Sequence, residues 1–230
     1  MITLNGHLMA QTTHSAALAG SIYAVAAADR QYAAQLLGQH HLWVHADVIL
    51  SADGHRGVDM DTVRAVAEEG TAPLDVHLIT EKLDSALLED VCREKITRVT
   101  VPWEVLNSMS AAGLAAETAH SAGAQLWVAL APETQATAVQ DVLGVVDGVL
   151  VMLLEPGSTG IADPLLCSKV AALAPALPVG VDGGVGESNV DECLRAGATY
   201  VVSGRALLCS SAPVLSAHRP EEKVIRCPRR

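Results

Sequence analysis

Pro178-Val-Gly-Val-Asp-Gly-Gly184 is a short apolar run that carries one carboxylate, Asp182, to its end and then meets two glycines. A strand of this kind aims its terminal acid at a ligand, and bare glycine backbone lets an anion approach the main-chain amides closely. Stability alone asks for no acid there. Two earlier runs supply groups to stand opposite it. In Trp43-Val-His-Ala-Asp-Val48, His45 and Asp47 are two apart; in Leu74-Asp-Val-His-Leu-Ile79, Asp75 and His77 are two apart. Strand side chains alternate faces with period two, so each pair shares a face. With all three strands in one closed barrel, His45, Asp47, His77 and Asp182 converge at its mouth. Two imidazoles and two carboxylates are a donor set for Zn²⁺, Fe²⁺, Mn²⁺ or Co²⁺.

The rest of the chain repeats the strand. Candidate strands fall at 19–25, 42–48, 73–79, 97–102, 125–130, 147–153, 178–182 and 199–203, separated by alanine-rich helical segments such as Asp59–Glu69, Asp84–Arg93, Met109–Ala122 and Thr134–Leu143. Strands recurring at this interval with helices between them imply βα units and a parallel sheet. Eight units predict an α/β fold of the (β/α)8 TIM-barrel type, with an open doubly wound sheet as the alternative. A chain of 230 residues, half of them hydrophobic, suits one such domain. Residues 1–17 read as an N-terminal prefix, 18–218 as the single barrel domain and 219–230 as a C-terminal tail.

A barrel places functional groups at the C-terminal strand ends and binds phosphate after strands seven and eight. Gly183 and Gly184 follow strand seven, Ser203-Gly204 follows strand eight, and Glu155-Pro-Gly-Ser-Thr-Gly160 follows strand six. Three small-residue loops around one rim predict a cradle of backbone N–H groups for a phosphate.

A formal charge of −11 argues against nucleic acid and against anionic membranes as partners. Apolar runs stop well short of a transmembrane span. Five scattered cysteines without metal spacing, and no recognisable signal peptide, predict a reduced, cytoplasmic chain.

On these residues the chain resembles the ribulose-phosphate 3-epimerase family, barrels of the ribulose-phosphate-binding type in the pentose phosphate pathway. The likeness runs over roughly residues 18–210. It is carried by His45-Ala-Asp-Val48, Leu74-Asp-Val-His-Leu78, Val151-Met-Leu-Leu-Glu-Pro-Gly157 and Val181-Asp-Gly-Gly-Val185, with Val202-Ser-Gly204 and Gly20-Ser-Ile22 adding to it. The resemblance implies one divalent metal ion on His45, Asp47, His77 and Asp182. It also implies that Asp47 and Asp182 are the acid–base pair, on opposite faces of the sugar. Backbone around Gly157, Gly160, Gly183, Gly184 and Gly204 would hold the phosphate, Ser21 would stand near the substrate, and Met152 would line the site. A sugar phosphate is the implied small-molecule partner, and a homo-oligomer the implied assembly.

The chemistry asks for these groups. Epimerising C3 of a 2-ketose phosphate removes a proton alpha to a carbonyl and returns one to the other face through an enediolate. One carboxylate must be ionised while the other is protonated, and either Asp47 or Asp182 can start. Asp75, sharing a face with His77, is placed to orient a ligand histidine.

Several positions depart from the family pattern. Ile49 and Ile79 stand where methionines usually cap the reacting centre, and Val101-Pro-Trp103 replaces a segment that usually carries a histidine. An Asp-Gly-His survives as Asp53-Gly-His55, displaced along the loop, and Thr159 and Ile161 alter the turn after strand six. Arg205 replaces a small serine after Gly204; it either clamps phosphate or crowds the site. These changes leave open an epimerase of another ketose phosphate, such as a hexulose 6-phosphate, another sugar-phosphate enzyme such as a lyase, or a non-catalytic phospholigand-binding barrel.

Overall fold

Eight short runs, rich in valine and leucine and too apolar to face water, pair edge to edge and close on themselves. The computed structural model describes residues 1–51, 54–155, 160 and 162–210. In chain order the strands are β1 (Ile2–Leu4), β2 (Ala17–Ser21), β3 (Trp43–Ser51), β4 (Gly54–Gly57), β5 (Leu74–Thr80), β6 (Arg98–Pro102), β7 (Gln125–Leu130), β8 (Gly148–Met152), β9 (Val179–Asp182), β10 (Tyr200–Ser203) and β11 (Leu208–Ser210). The parallel order β2-β10-β9-β8-β7-β6-β5-β3 closes through a β2–β3 pairing, giving a (β/α)8 barrel.

The main helices are α1 (Gly6–Thr12), α2 (Arg30–Gln39), α3 (Met60–Glu69), α4 (Ser85–Cys92), α5 (Trp103–Leu106), α6 (Met109–Ser121), α7 (Cys167–Leu173) and α8 (Val190–Arg195). Their starts are written in the sequence. The Asp59 carboxylate accepts from Thr62 N at 2.8 Å, the Asp84 carboxylate from Leu87 N at 2.7 Å, and the Ser108 hydroxyl from Ala111 N at 3.2 Å. Each satisfies one of the orphan amides of a first helical turn.

Four local expectations shift. The first barrel strand runs over Ala17–Ser21, and Ile22–Ala24 form a 3-10 turn; Ile22 is wholly buried in that turn, so its apolar character imitates strand. Thr134–Leu143, expected as a helix, winds as a 3-10 segment over Ala136–Val142. Thr137, Val139 and Val142 are β-branched and lose side-chain freedom in an α-turn. The opening residues carry β1, which pairs antiparallel with β11, and α1, capped by Asn5 and anchored by the buried Leu8. Finally, β3 does not stop at Val48: it continues to Ser51 and pairs with β4 as an antiparallel hairpin. Asp53, Gly157, Thr159, Ile161 and the tail from 211 lie outside the described residues.

Two cores result. A larger apolar shell lies between barrel and helices, while inside the barrel Ala19, Trp127, Ala129, Leu150, Met152, Tyr200 and Val202 pack together. The opposite interior wall is polar, with His45, Asp47, Asp75, His77, Arg98 and Thr100 all buried. Bulky rings fill the floor because glycines face them. A Cβ on Gly148 would stand 2.3 Å from the Trp127 ring, and one on Gly180 would stand 2.9 Å from Tyr200. Gly148→Ala is expected to destabilise the barrel by about 1–3 kcal/mol through overpacking. Denaturant unfolding checks this; a change within about 0.5 kcal/mol, the range of an ordinary surface substitution, would show that the ring gives way freely. Among the described residues no helix is long and apolar enough to cross a membrane.

Candidate metal centre

Register builds the site. In the parallel β3–β5 pairing, His45 lies opposite Asp75 and Asp47 opposite His77, so the two pairs form a square on the interior wall. Asp182 enters from β9, on the other side of the barrel, where Gly183 and Gly184 follow with φ of +106° and +69°. Side-chain-bearing residues rarely adopt those angles, and a Cβ on Gly183 or Gly184 would lie 2.7 Å from the backbone nitrogen of Leu154 or Ala162. The glycines therefore set where the strand turns and where its acid points.

Ligand atoms of His45, Asp47, His77 and Asp182 all lie within 4.8 Å of one another. The Nε2 of His45 is 3.2 Å from Asp47 Oδ1 and 3.7 Å from Asp182 Oδ2, and His77 Nδ1 is 3.3 Å from the same Asp47 Oδ1. A four-coordinate cation with bond lengths near 2.1 Å sets its ligand atoms about 3.4 Å apart, so this donor set fits such an ion. A second observation agrees. His45 Nδ1 donates to Asp75 Oδ2 at 3.0 Å, which turns Nε2 toward the centre. Asp75 is held in turn by the Thr100 hydroxyl at 2.9 Å and the Tyr200 hydroxyl at 2.9 Å. The Ser21 hydroxyl donates to Asp47 Oδ2 at 2.8 Å. The buried Nε2 of His77 has no hydrogen-bond partner among the described residues.

Electrostatics separate the two acids. Burial pushes the Asp47 carboxyl up, but His45 and His77 outweigh it and hold Asp47 well below the usual carboxylate range. Burial also pushes up Asp182, and there the negative charge of Asp47 adds to it and overcomes the pull of His45, leaving Asp182 above that range. Asp75 is held low, since His45 and Arg98 overcome its burial. Burial works against a proton on His45, yet Asp47 and Asp75 together raise its pKa well above the ordinary value. One acid at the mouth is thus disposed to be ionised and its partner to be protonated.

A cavity of about 650 Å³ opens over these groups. Ser21, Asp47, Met152, Gly160, Asp182, Gly183, Gly184, Gly204 and Arg205 all line it. Four members of this neighbourhood escape the sequence reading. Thr100 and Arg98 share the inward face of β6, a relation visible in the alternation of Arg98-Val-Thr-Val-Pro102. Tyr200 looks like one more apolar strand residue until its partner is known. Arg30, at the start of α2, also lines the cavity although it is only 8 % exposed, and no local sequence signal marks it.

Comparison with known proteins follows the same line. Residues 17–208 match the sequence model of the ribulose-phosphate 3 epimerase family. The chain is 30% identical over 190 residues to the ribulose-phosphate 3-epimerase of Treponema pallidum (strain Nichols), covering 74% of this chain and 84% of that one. It is 30% identical over 193 residues to the cytoplasmic isoform of ribulose-phosphate 3-epimerase from Oryza sativa subsp. japonica, covering 77% and 81%. Among solved structures, 3-hexulose-6-phosphate synthase superposes with a TM-score of 0.60 at 18% identity, covering 83% of this chain and 90% of that one. KGPDC from Streptococcus mutans superposes at 0.65 and 12% identity, covering 83% and 88%. At those identities the structures speak for the barrel alone, whereas the family match extends across all eight of its strands. The chain belongs to the ribulose-phosphate 3-epimerase family.

Proposed function

We propose that the protein is a 3-epimerase of a ketose phosphate that depends on a divalent cation, with ribulose 5-phosphate and xylulose 5-phosphate as its first substrate pair. One observation carries this reading: Asp47 and Asp182 reach one centre from different sides of the barrel, each close to the His45 imidazole. A 1,1-proton transfer needs an acid–base group on each face of the sugar, and in the cation-free protein burial and neighbouring charge already incline the two carboxyls to opposite protonation states.

His45, Asp47, His77 and Asp182 would hold the cation, drawn from Zn²⁺, Fe²⁺, Mn²⁺ or Co²⁺. When bound, it supplies Lewis-acid polarisation of the C2 carbonyl and stabilises the enediolate oxygens. The ionised Asp47, its Oδ2 fixed by the Ser21 hydroxyl, takes the C3 proton from one face. The protonated Asp182 returns one to the other face, and for the opposite epimer the roles reverse. Met152 closes the apolar side of the cavity, limiting access of water to the carbanion. Gly160, Gly183, Gly184 and Gly204 leave backbone open to the phosphate, and Gly157 is assigned with them. Arg205 on the cavity wall adds a charged hydrogen-bonding clamp. We place the enzyme in the reduced cytosol as a homo-oligomer; Cys92, Cys167 and Cys193 are buried free thiols, in keeping with a reducing compartment.

A hexulose 6-phosphate is the second substrate class, left open by Ile49 and Ile79, which replace the methionines usual over the reacting centre. Protein supplied in turn with each of the four cations, in D₂O, is expected to introduce deuterium at C3 of ribulose 5-phosphate and to yield xylulose 5-phosphate. Exchange seen only with a hexulose phosphate would reassign the substrate. No exchange with any pentulose or hexulose phosphate would end the epimerase reading.

A further inference from the structure

We propose that Arg98, at the floor of the barrel, is a positioning residue for the metal centre: by holding Asp75 it keeps the His45 ring aimed at the cation. The inference rests on the metal-centre reading above and reaches a residue that touches neither cation nor substrate.

Arg98 is 4 % exposed, and its guanidinium carbon lies 3.6 Å from the Trp127 ring centroid, 4.3 Å from Tyr200 and 4.5 Å from Trp43. Three aromatic faces thus surround one cation inside the barrel. Burying a guanidinium costs several kcal/mol unless it is paired, whereas an aliphatic residue would fill the same floor without that penalty. On the outward face of the same strand Val99 and Val101 are aliphatic and wholly buried, so the charge is specific to the inward position. Cation–π contacts offset part of the cost. The hydrogen bonds it makes are long: Nε and Nη2 both donate to Gln125 Oε1 at 3.4 Å.

What remains is Nη1, which has no hydrogen-bond partner among the described residues and lies 3.7 Å from Asp75 Oδ2. That same oxygen accepts from the Tyr200 hydroxyl and from His45 Nδ1. A continuous buried line therefore runs from the floor to the mouth: Arg98, Asp75, His45, then Asp47 and Asp182. Tyr200 joins it twice, as a wall of the aromatic box and as a donor to Asp75. Asp75 thus meets three elements besides its own strand, and its carboxylate is fixed between the floor cation and the ligand imidazole. Without the guanidinium the carboxylate keeps only the Thr100 and Tyr200 hydroxyls to fix it, and the ring it orients is held less firmly.

Cobalt binding reads this without turnover, through the visible absorption of protein-bound Co²⁺. Arg98→Met is expected to weaken Co²⁺ binding by about 10–100-fold, the usual effect of losing an outer partner of a metal ligand. Arg98→Lys, which keeps the charge, should recover part of the loss. Tyr200→Phe removes only the donor to Asp75 and should weaken binding in the same direction. Val170→Ala, in the apolar shell outside the barrel, should lower stability while leaving Co²⁺ affinity at the parent value.

Parent affinity in Arg98→Met overturns the proposal; so does an equal loss in Val170→Ala, which would make the effect one of stability only. If Arg98→Met does not fold, Arg98→Gln, neutral but polar, decides in its place, with parent affinity again the overturning result. A parent protein that binds no Co²⁺ removes the metal-centre reading and this proposal together, whereas a parent that binds beside variants that bind equally removes this proposal alone.

Discussion

Asp182→Asn is expected to lower the rate of epimerisation by about 10³–10⁴-fold, at the upper end of what one acid–base group contributes. The side chain stands at the end of β9, where the strand and the two following glycines aim it into the cavity. An amide has nearly the same shape but can neither accept the C3 proton nor return one. The fold should not suffer. Burial and the charge of Asp47 already disfavour the ionised form of Asp182, so a neutral isostere removes a repulsion and adds none. In the cation-free protein the melting temperature is expected to hold or rise. A sharper signature lies in isotope exchange. With Asp47 intact, the epimer whose C3 proton faces that acid can still lose it to solvent, while the other epimer cannot. Exchange confined to one epimer, with epimerisation lost, is the expected pattern. Turnover at the parent rate would show that Asp182 is no part of the proton path.

Much of this site is legible in the sequence because strand alternation is a strict rule. His45 with Asp47, and Asp75 with His77, share faces by spacing alone, and the glycines after Asp182 mark a strand end without any knowledge of the fold. Barrel closure then brings the pairs opposite Asp182, which depends only on strand count and order. What spacing cannot give is partnership across the interior. Asp75 sits two residues from His77, yet its hydrogen bond goes to His45 on the neighbouring strand, because the β3–β5 register sets those two side by side. Tyr200 is 125 residues from Asp75, and nothing local announces their contact. The hairpin formed by β4 was missed for a different reason: Gly54–Gly57 is short and polar, with none of the alternation that marks a half-buried strand. The 3-10 turn over Ile22–Ala24 was hidden by composition, since a buried apolar turn and a buried strand draw on the same residues.

Removing the cation is expected to abolish turnover and leave the barrel folded. Without it the four donors pair with one another: His45 Nε2 lies 3.2 Å from Asp47 and 3.7 Å from Asp182, and His77 Nδ1 lies 3.3 Å from Asp47. Positive imidazole between negative carboxylates compensates the buried charge, so no unpaired ion is left to open the sheet. Chelation should therefore spare the far-ultraviolet circular dichroism while lowering the melting temperature. A ligand present at 100 times its dissociation constant stabilises the native state by about 2.7 kcal/mol, and that increment disappears with it. Re-addition of Zn²⁺, Fe²⁺, Mn²⁺ or Co²⁺ should restore both properties, and the panel identifies which ion serves best. Acidity enters through competition for the same atoms. A ligating imidazole must be neutral, and in the cation-free protein the His45 ring sits between Asp75 and Asp47, which favour its protonated form. Binding then expels a proton, so apparent affinity rises with pH, approaching about tenfold per unit where one proton is released. Calorimetric titration in buffers of different ionisation enthalpy measures that proton directly. Full turnover in excess chelator, or an affinity that does not change between acid and neutral pH, would separate this barrel from cation-assisted proton transfer.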